Sequence, residues 1–414
     1  MSLLRRSTSH SLQLMPYFMA VFACFMTIAM VQYPKEAFDS AVMGLNLWWN
    51  VVFPALLPFF ILSEILMGLG VVHFIGVLLE PLMRPLFNVP GVGAFALSMG
   101  LASGYPMDAV ITCKFRKNKL CSAVEAERLL SFTNTADPLF MFGAVAVGMF
   151  AMPEIGAIIA LAHYLSSFLV GILFRFYGRD RDQQAPIESE KFKRNIIMRA
   201  FQALDAARRE DSRDFSQLLG DAVKSSMNTI FLIGGFIMIF SVFLRIISVV
   251  GWTNYLNTFF ASILELIGYH ASLAPALVSG LFEIDLGAMV ASQTDAPLVE
   301  KVAVTGAIIA WSGLCVHGQV ASIVIESKIR MAPYMVGRFI HAILAGIISI
   351  ALIKSQLLSS LFVMPAAVYS YGQSGIWLMR MEQNCYQIVL FIGSFICLSF
   401  SFQLLIQIWA CIKK

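Results

Sequence analysis

Charge is what this chain has least of. Asp, Glu, Lys and Arg make up 13% of its 414 residues, where soluble domains carry about 25%. With 58% hydrophobic residues and a mean hydropathy of +0.77, that deficit excludes an ordinary soluble enzyme or one with a single anchor. The formal net charge of +4 is small and belongs to loops between apolar runs, so no nucleic-acid partner is expected. Catalytic signatures are missing too: there is no HExxH, no GxSxG and no phosphate-binding loop, which leaves neither an enzyme constellation nor an ATP site. Seven cysteines are present, yet none forms a CxxC or another metal spacing, so no metal and no cofactor is expected. The 22 methionines and 34 phenylalanines are read as packing and lipid-facing residues.

What is present is a series of apolar runs. Leu14–Tyr33 is read as a retained helix, because no small-residue cleavage site follows it. Leu47–Leu69 opens on the interfacial anchor Trp48-Trp49,. Val71–Phe87 is shorter and amphipathic. Gly91–Cys113 is broken by Ser103-Gly104-Tyr105-Pro106 and reads as a re-entrant hairpin. Leu129–Phe150 is broken at Asn134-Thr135, and Ile155–Phe176 is an ordinary span. After a charged stretch, 177–221, the order returns. Met227–Val250 spans, Trp252–Gly268 is amphipathic, Ala271–Ser292 is interrupted, Val302–Ile325 is broken at Ser312-Gly313 and Pro333–Ile353 spans. A mixed stretch and a last span, Cys385–Ile412, end the chain.

The recurrence, at an offset of about 180 residues, predicts two repeats. The expected fold is an all-α polytopic membrane protein with about eight spanning helices. Each repeat holds one re-entrant hairpin and one broken helix. The divisions are 1–46, an N-terminal helix; 47–176, the first repeat; 177–226, a cytoplasmic charged loop; 227–353, the second repeat; and 354–414, an extracytoplasmic loop with the C-terminal helix. Placing every strongly basic loop in the cytoplasm gives the two repeats opposite orientation, as in many secondary transporters.

Interrupted hydrophobic segments are tolerated at membrane depth only where protein covers them or where they line a cavity, and paired ones point to a binding site. Ser103, Gly104, Tyr105, Pro106, Asn134, Thr135, Glu283, Asp285, Ser312 and Gly313 are therefore the candidate substrate-binding residues. Each has a plainer reading. The Ser-Gly-Tyr-Pro break serves equally as a structural kink, and Asn134 and Thr135 as glue between helices. Glu283 and Asp285 lie in an apolar hairpin, where a carboxylate costs about 2.5–3.5 kcal/mol to insert, which favours a functional role. With His317 they are candidates for proton or ion coupling, although a histidine in such a place is more often a hydrogen-bonded core residue. Glu64, His163, Arg245 and His341 are read as structural, and Ser166 and Ser167 as bystanders on an ordinary span.

Ala102-Ser-Gly-Tyr-Pro-Met, Glu125-Ala-Glu-Arg-Leu-Leu-Ser-Phe-Thr-Asn-Thr and Pro138-Leu-Phe resemble the YlbJ family of sporulation integral membrane proteins, also called SpoVV. Glu283-Ile-Asp285-Leu-Gly and Trp311-Ser-Gly extend the resemblance into the second half. It implies two nucleoside-recognition Gate domains, a fold similar to the core of concentrative nucleoside transporters. It also implies a role in moving dipicolinic acid across the outer forespore membrane of the mother cell during sporulation. The alternatives are a nucleoside-type carrier, or a non-transporting scaffold for spore assembly that docks partners through 177–221. The expected partners are a small organic anion and the lipid bilayer, with a homo-oligomer by analogy.

Overall fold

The structure is a computed structural model that describes residues 14–117, 119–178 and 196–355. The expected last span, the loop before it and the middle of the charged stretch lie outside the described residues. Every regular element among them is helical. Helix α1 spans Leu14–Gln32. Helix α2 (Pro34–Leu47), a π-helical turn (Trp48–Val52) and α3 (Phe53–Gly68) follow one another with helical dihedrals at both joints. They make one long rod, and the expected Leu47–Leu69 span is only its second part. Gly70 turns the chain with φ +79° into α4 (Val71–Phe87), whose αL C-cap is Asn88. Helices α5 (Gly93–Ser103) and α6 (Met107–Lys117) form the first hairpin.

Helix α7 (Ala123–Thr133) starts from a capping box made by Ser122 and Glu125,. The chain then loses helical form through Asn134–Asp137 and resumes as a π-helix, Phe140–Met149, before α8 (Glu154–Phe174). Helix α9 (Ile196–Glu210) packs on α4 through Leu78, Ile196 and Ala200, through the rings of Phe74 and Phe201, and through an ion pair of Arg199 with Glu80. Helix α10 (Phe215–Val249) begins with an Asp214 N-cap, so the end of the expected charged loop is already part of a spanning rod. Gly251 (φ +87°) then leads into α11 (Trp252–Leu266). The second hairpin is α12 (Ala274–Phe282) and α13 (Ile284–Gln293). Helix α14 (Leu298–Trp311), broken at Ser312, continues as α15 (Gly313–Val324), and α16 (Met331–Lys354) closes the described chain.

The order rod, αL glycine, amphipathic helix, hairpin, broken helix, spanning helix thus occurs twice. Corresponding helices of the two halves run antiparallel where they touch. Along the two rods, Gly68 meets Leu218, Glu64 accepts from Ser225, the Trp48 indole donates to the Ile230 carbonyl and Gly44 meets Ser241. Helix α8 runs against α7, with Arg128 on Tyr177, Ser167 on Phe132 and Ala136 on His163. Helix α16 runs along α7 in the same sense, with Arg330 on Glu127 and Arg338 on Asn134, so α8 and α16 oppose each other.

Small residues set the closest approaches. A Cβ on Gly287 would lie 2.4 Å from the Gly280 Cα, which lets α12 and α13 touch backbone to backbone,. Outward stripes are apolar: Leu161, Leu165, Leu169 and Leu173 on α8, and Val336, Phe339, Ile343 and Ile347 on α16. Among the described residues four helices, Glu154–Phe174, Phe215–Val249, Leu298–Val324 (interrupted at Ser312) and Met331–Lys354, are long and apolar enough to cross a membrane. The segments expected on the cytoplasmic side meet at one end. There Glu127 holds Arg330 through both carboxylate oxygens and also accepts from the Tyr177 hydroxyl.

Candidate functional site

The four interrupted segments converge. The first hairpin tip lies against the first break: a Cβ on Gly100 would sit 2.0 Å from the Thr133 carbonyl, and one on Gly104, whose φ is +68°, 2.8 Å from Asp137 Oδ2. Glycine is required at Gly104 on both counts. The Tyr105–Pro106 peptide is cis. The second tip meets the second break in the same manner, with Gly313 against the Phe282 carbonyl and the Trp311 indole donating to the Leu281 carbonyl at 3.1 Å. The halves are joined where the Tyr105 hydroxyl donates to the Ile309 carbonyl at 2.8 Å.

In the first half the break is held on every side. Asn134 donates to Asp108 Oδ1 at 2.8 Å and accepts from the Tyr334 hydroxyl at 3.0 Å, while Thr133 reaches Asp108 Oδ2 at 3.3 Å. Arg338 binds the Asn134 carbonyl and, at 2.7 Å, the Ser131 carbonyl. The Ala136 N–H donates to His163 Nε2 at 3.0 Å, and the Ala136 carbonyl accepts from Tyr164 at 3.1 Å. Thr135 is fully buried, with its hydroxyl turned back 3.4 Å from the Thr133 carbonyl. Asp137 caps the following turn by accepting from the Phe140 N–H at 2.9 Å. His341 Nε2 meets the His163 carbonyl at 2.8 Å, with the two rings 4.6 Å apart.

The second half is less occupied. Glu283 accepts from the Leu286 N–H at 2.8 Å and thereby caps α13, and the Asp285 side chain lies against it. His317 Nδ1 meets the Gly313 carbonyl at 2.6 Å. Asp285 Oδ1, Ser312 Oγ and His317 Nε2 are all buried without a hydrogen-bond partner of good geometry, as are Arg338 Nε, His163 Nδ1 and His341 Nδ1 around the first break; the Tyr105 and Tyr334 hydroxyls lie beside Ser312. Orphaned buried polar atoms are rare in folded proteins and call for an explanation.

Ser103, Gly104, Tyr105, Pro106, Asn134, Thr135, Glu283, Asp285, Ser312, Gly313 and His317 therefore all fall in the two tip-and-break junctions. Two expectations change. The main chain of the first break, expected as part of a cavity lining, is bonded by side chains of α8 and α16 at Ser131, Phe132, Asn134 and Ala136. Ser167 is not a bystander, since it donates to the Phe132 carbonyl at 2.5 Å, just before the break; Ser166 only bonds back within its own helix. Asp108, Asp137, Tyr334 and Arg338 are not among the candidates read from the sequence, where His163 and His341 stand as structural. An ionisable group inside an apolar segment was the available signal for most of them. Among the described residues no group of His, Cys, Asp and Glu is arranged to hold a metal ion.

Fold and site define a class, a polytopic all-α membrane protein built on interrupted helices. A family model described as "Nucleoside recognition", Gate, matches residues 49–178, which covers the first rod from its π turn through α8. The "Sporulation integral membrane protein YlbJ" of Bacillus subtilis (strain 168) is 45% identical over 339 residues, spanning 81% of this chain and 82% of that relative. The chain belongs to the YlbJ family of sporulation integral membrane proteins. No solved structure matches it.

Proposed function

We propose that this protein is a membrane carrier for a small organic anion, dipicolinate, moving it across the outer forespore membrane of the mother cell during sporulation. The supporting observation is the meeting of two hairpin tips and two helix breaks in one buried region that retains unpaired polar atoms. The antiparallel pairing of equivalent helices supports an inverted-repeat architecture, in which one half rocks against the other around a central site. The N-termini of α6, α13 and α15 each begin at a tip or a break, and helix N-termini favour anions. Glu283 and Asp285, with His317, are the coupling groups in this reading. A carboxyl pair facing an anionic substrate requires an accompanying proton or cation, and cotransport supplies it. The chain acts as a carrier and not as a catalyst.

A nucleoside-type carrier is the second reading, favoured by the Gate match over 49–178. Uptake of labelled dipicolinate into proteoliposomes, with nucleosides as competitors, separates the two. The expected result is saturable dipicolinate uptake that nucleosides leave unchanged. Uptake of a nucleoside with no dipicolinate flux would overturn the assignment.

A further inference from the structure

We propose that Arg338, Ser312 and His317 form the anchor for a carboxylate group of a planar aromatic substrate, with Trp311 and Tyr334 as its ring faces. The inference rests on the carrier reading and deepens it. Arg338 is fully buried, and no carboxylate pairs with it among the described residues. Both terminal nitrogens hold main-chain carbonyls at the C-terminal end of α7. A purely structural cap would need no more than this. The helix dipole offsets only part of an interior positive charge, and removing a cation from water without a counter-ion is costly. Asp108 is within electrostatic reach of Arg338, but both its oxygens are engaged by Asn134 and Thr133. The guanidinium therefore keeps its Nε without a partner and its charge without a counter-ion of its own.

The neighbours of Arg338 supply the rest of a site. Its guanidinium carbon lies 5.8 Å from the Tyr334 ring centre. Tyr334 is 5.2 Å from the His317 ring, and His317 is 4.5 Å from the Trp311 ring with 35° between their planes. A row of aromatic faces thus ends at a cation, and along it lie the unpaired Ser312 Oγ and His317 Nε2. The bond from His317 Nδ1 to the Gly313 carbonyl places a proton on Nδ1 and leaves Nε2 an acceptor without a partner. A carboxylate seated there accepts from Arg338 Nε and Ser312, and a proton taken up with the substrate bridges it to His317. Such a site accepts a flat aromatic acid and discriminates against its uncharged analogue.

The experiment is equilibrium binding to the full-length protein in nanodiscs. The probes are labelled dipicolinate and its neutral isostere 2,6-bis(hydroxymethyl)pyridine. Wild type is expected to bind the dianion and not the diol. Loss of a charge-assisted hydrogen bond in R338Q is expected to weaken dipicolinate about tenfold to a hundredfold, with smaller losses in S312A and H317Q. If R338Q fails to assemble, the other two variants, which keep the cap on α7, decide the matter. Wild-type binding retained within twofold in every assembled variant would overturn the anchor and leave the carrier reading standing. An absence of dipicolinate binding by wild type would instead overturn the substrate assignment on which the anchor rests.

Discussion

The two halves solve the same problem differently. Each interrupts a spanning helix and lays a hairpin tip against the gap. In the first half the exposed main chain is closed by side chains brought from α8 and α16: Arg338 on two carbonyls, His163 on the Ala136 N–H, Tyr164 on the Ala136 carbonyl and Ser167 on the Phe132 carbonyl. In the second half the main chain turns through αL residues, Ser312 at φ 75° and Gly313 at φ 63°. There the Trp311 indole reaches the Leu281 carbonyl and the Tyr105 hydroxyl the Ile309 carbonyl, while Asp285, Ser312 and His317 keep unpaired atoms. In the first half the unpaired atoms, His163 Nδ1, His341 Nδ1 and Arg338 Nε, belong to side chains brought in to close the break, whereas in the second half they belong to the tip and the break themselves, where hydrogen-bonding capacity is left unspent. The comparison makes the first half the frame and the second half the responsive part.

Neutralising both acids of the second half tests this most severely. With Glu283→Gln and Asp285→Asn together, transport is expected to be lost entirely while insertion and melting temperature stay close to wild type, because Gln retains the oxygen that caps Leu286. Full transport by the double variant would make these residues structural. A change in the first half should act through stability. Asn134→Ala leaves the Asp108 carboxylate short of a donor and the Tyr334 hydroxyl short of an acceptor, at about 1–3 kcal/mol for each buried group left unpaired. A clear fall in thermal stability, with transport impaired in proportion, is the expected outcome. Unchanged melting with lost transport would place the responsive site in the first half instead.

The smallest effect is expected at the charged end, where the halves meet through Glu127, Arg330 and Tyr177. Burial raises the Glu127 carboxyl, but bonds from Arg330 and Tyr177 outweigh it and hold the group below its ordinary value of 4.5. A depressed folded value means that the stabilisation is present above the ordinary value and is lost as pH falls through the folded one. Arg330 is half exposed, and solvent screening keeps the contribution of such an ion pair small. Arg330→Ala should therefore lower the melting temperature slightly at neutral pH and reduce the part of the acid sensitivity that Glu127 contributes as pH falls through its folded value. Equal acid sensitivity in both proteins would mean that the clamp does not join the halves.

Much of this was legible along the chain. Hydropathy runs marked the spanning segments, because lipid demands about 20 apolar residues whatever the neighbours are. Gly, Pro and polar residues marked the interruptions, because an unpaired backbone at membrane depth has to be covered. The rods were harder to delimit. Pro34–Gly68 continues through Trp48 and α10 starts at Phe215, since a helix extends beyond the apolar part of its sequence without a local signal. Ser167 looked inert for a related reason: nothing nearby in sequence shows that its hydroxyl faces a carbonyl 35 positions away.

By itself, then, the sequence determined that the chain lives in a membrane, that its helices break in two corresponding places and that Glu283 and Asp285 interrupt the second hairpin. These properties are local, fixed by side-chain transfer energies and by the backbone limits of Gly and Pro. Only the tertiary structure decided what closes each break. Asn134 finds Tyr334 and Arg338 some 200 residues away, and Asp108 finds Asn134 across the tip of a hairpin. Hydrogen bonds act over about 3 Å and depend on direction, so their partners are set by how helices pack, which no run of residues records.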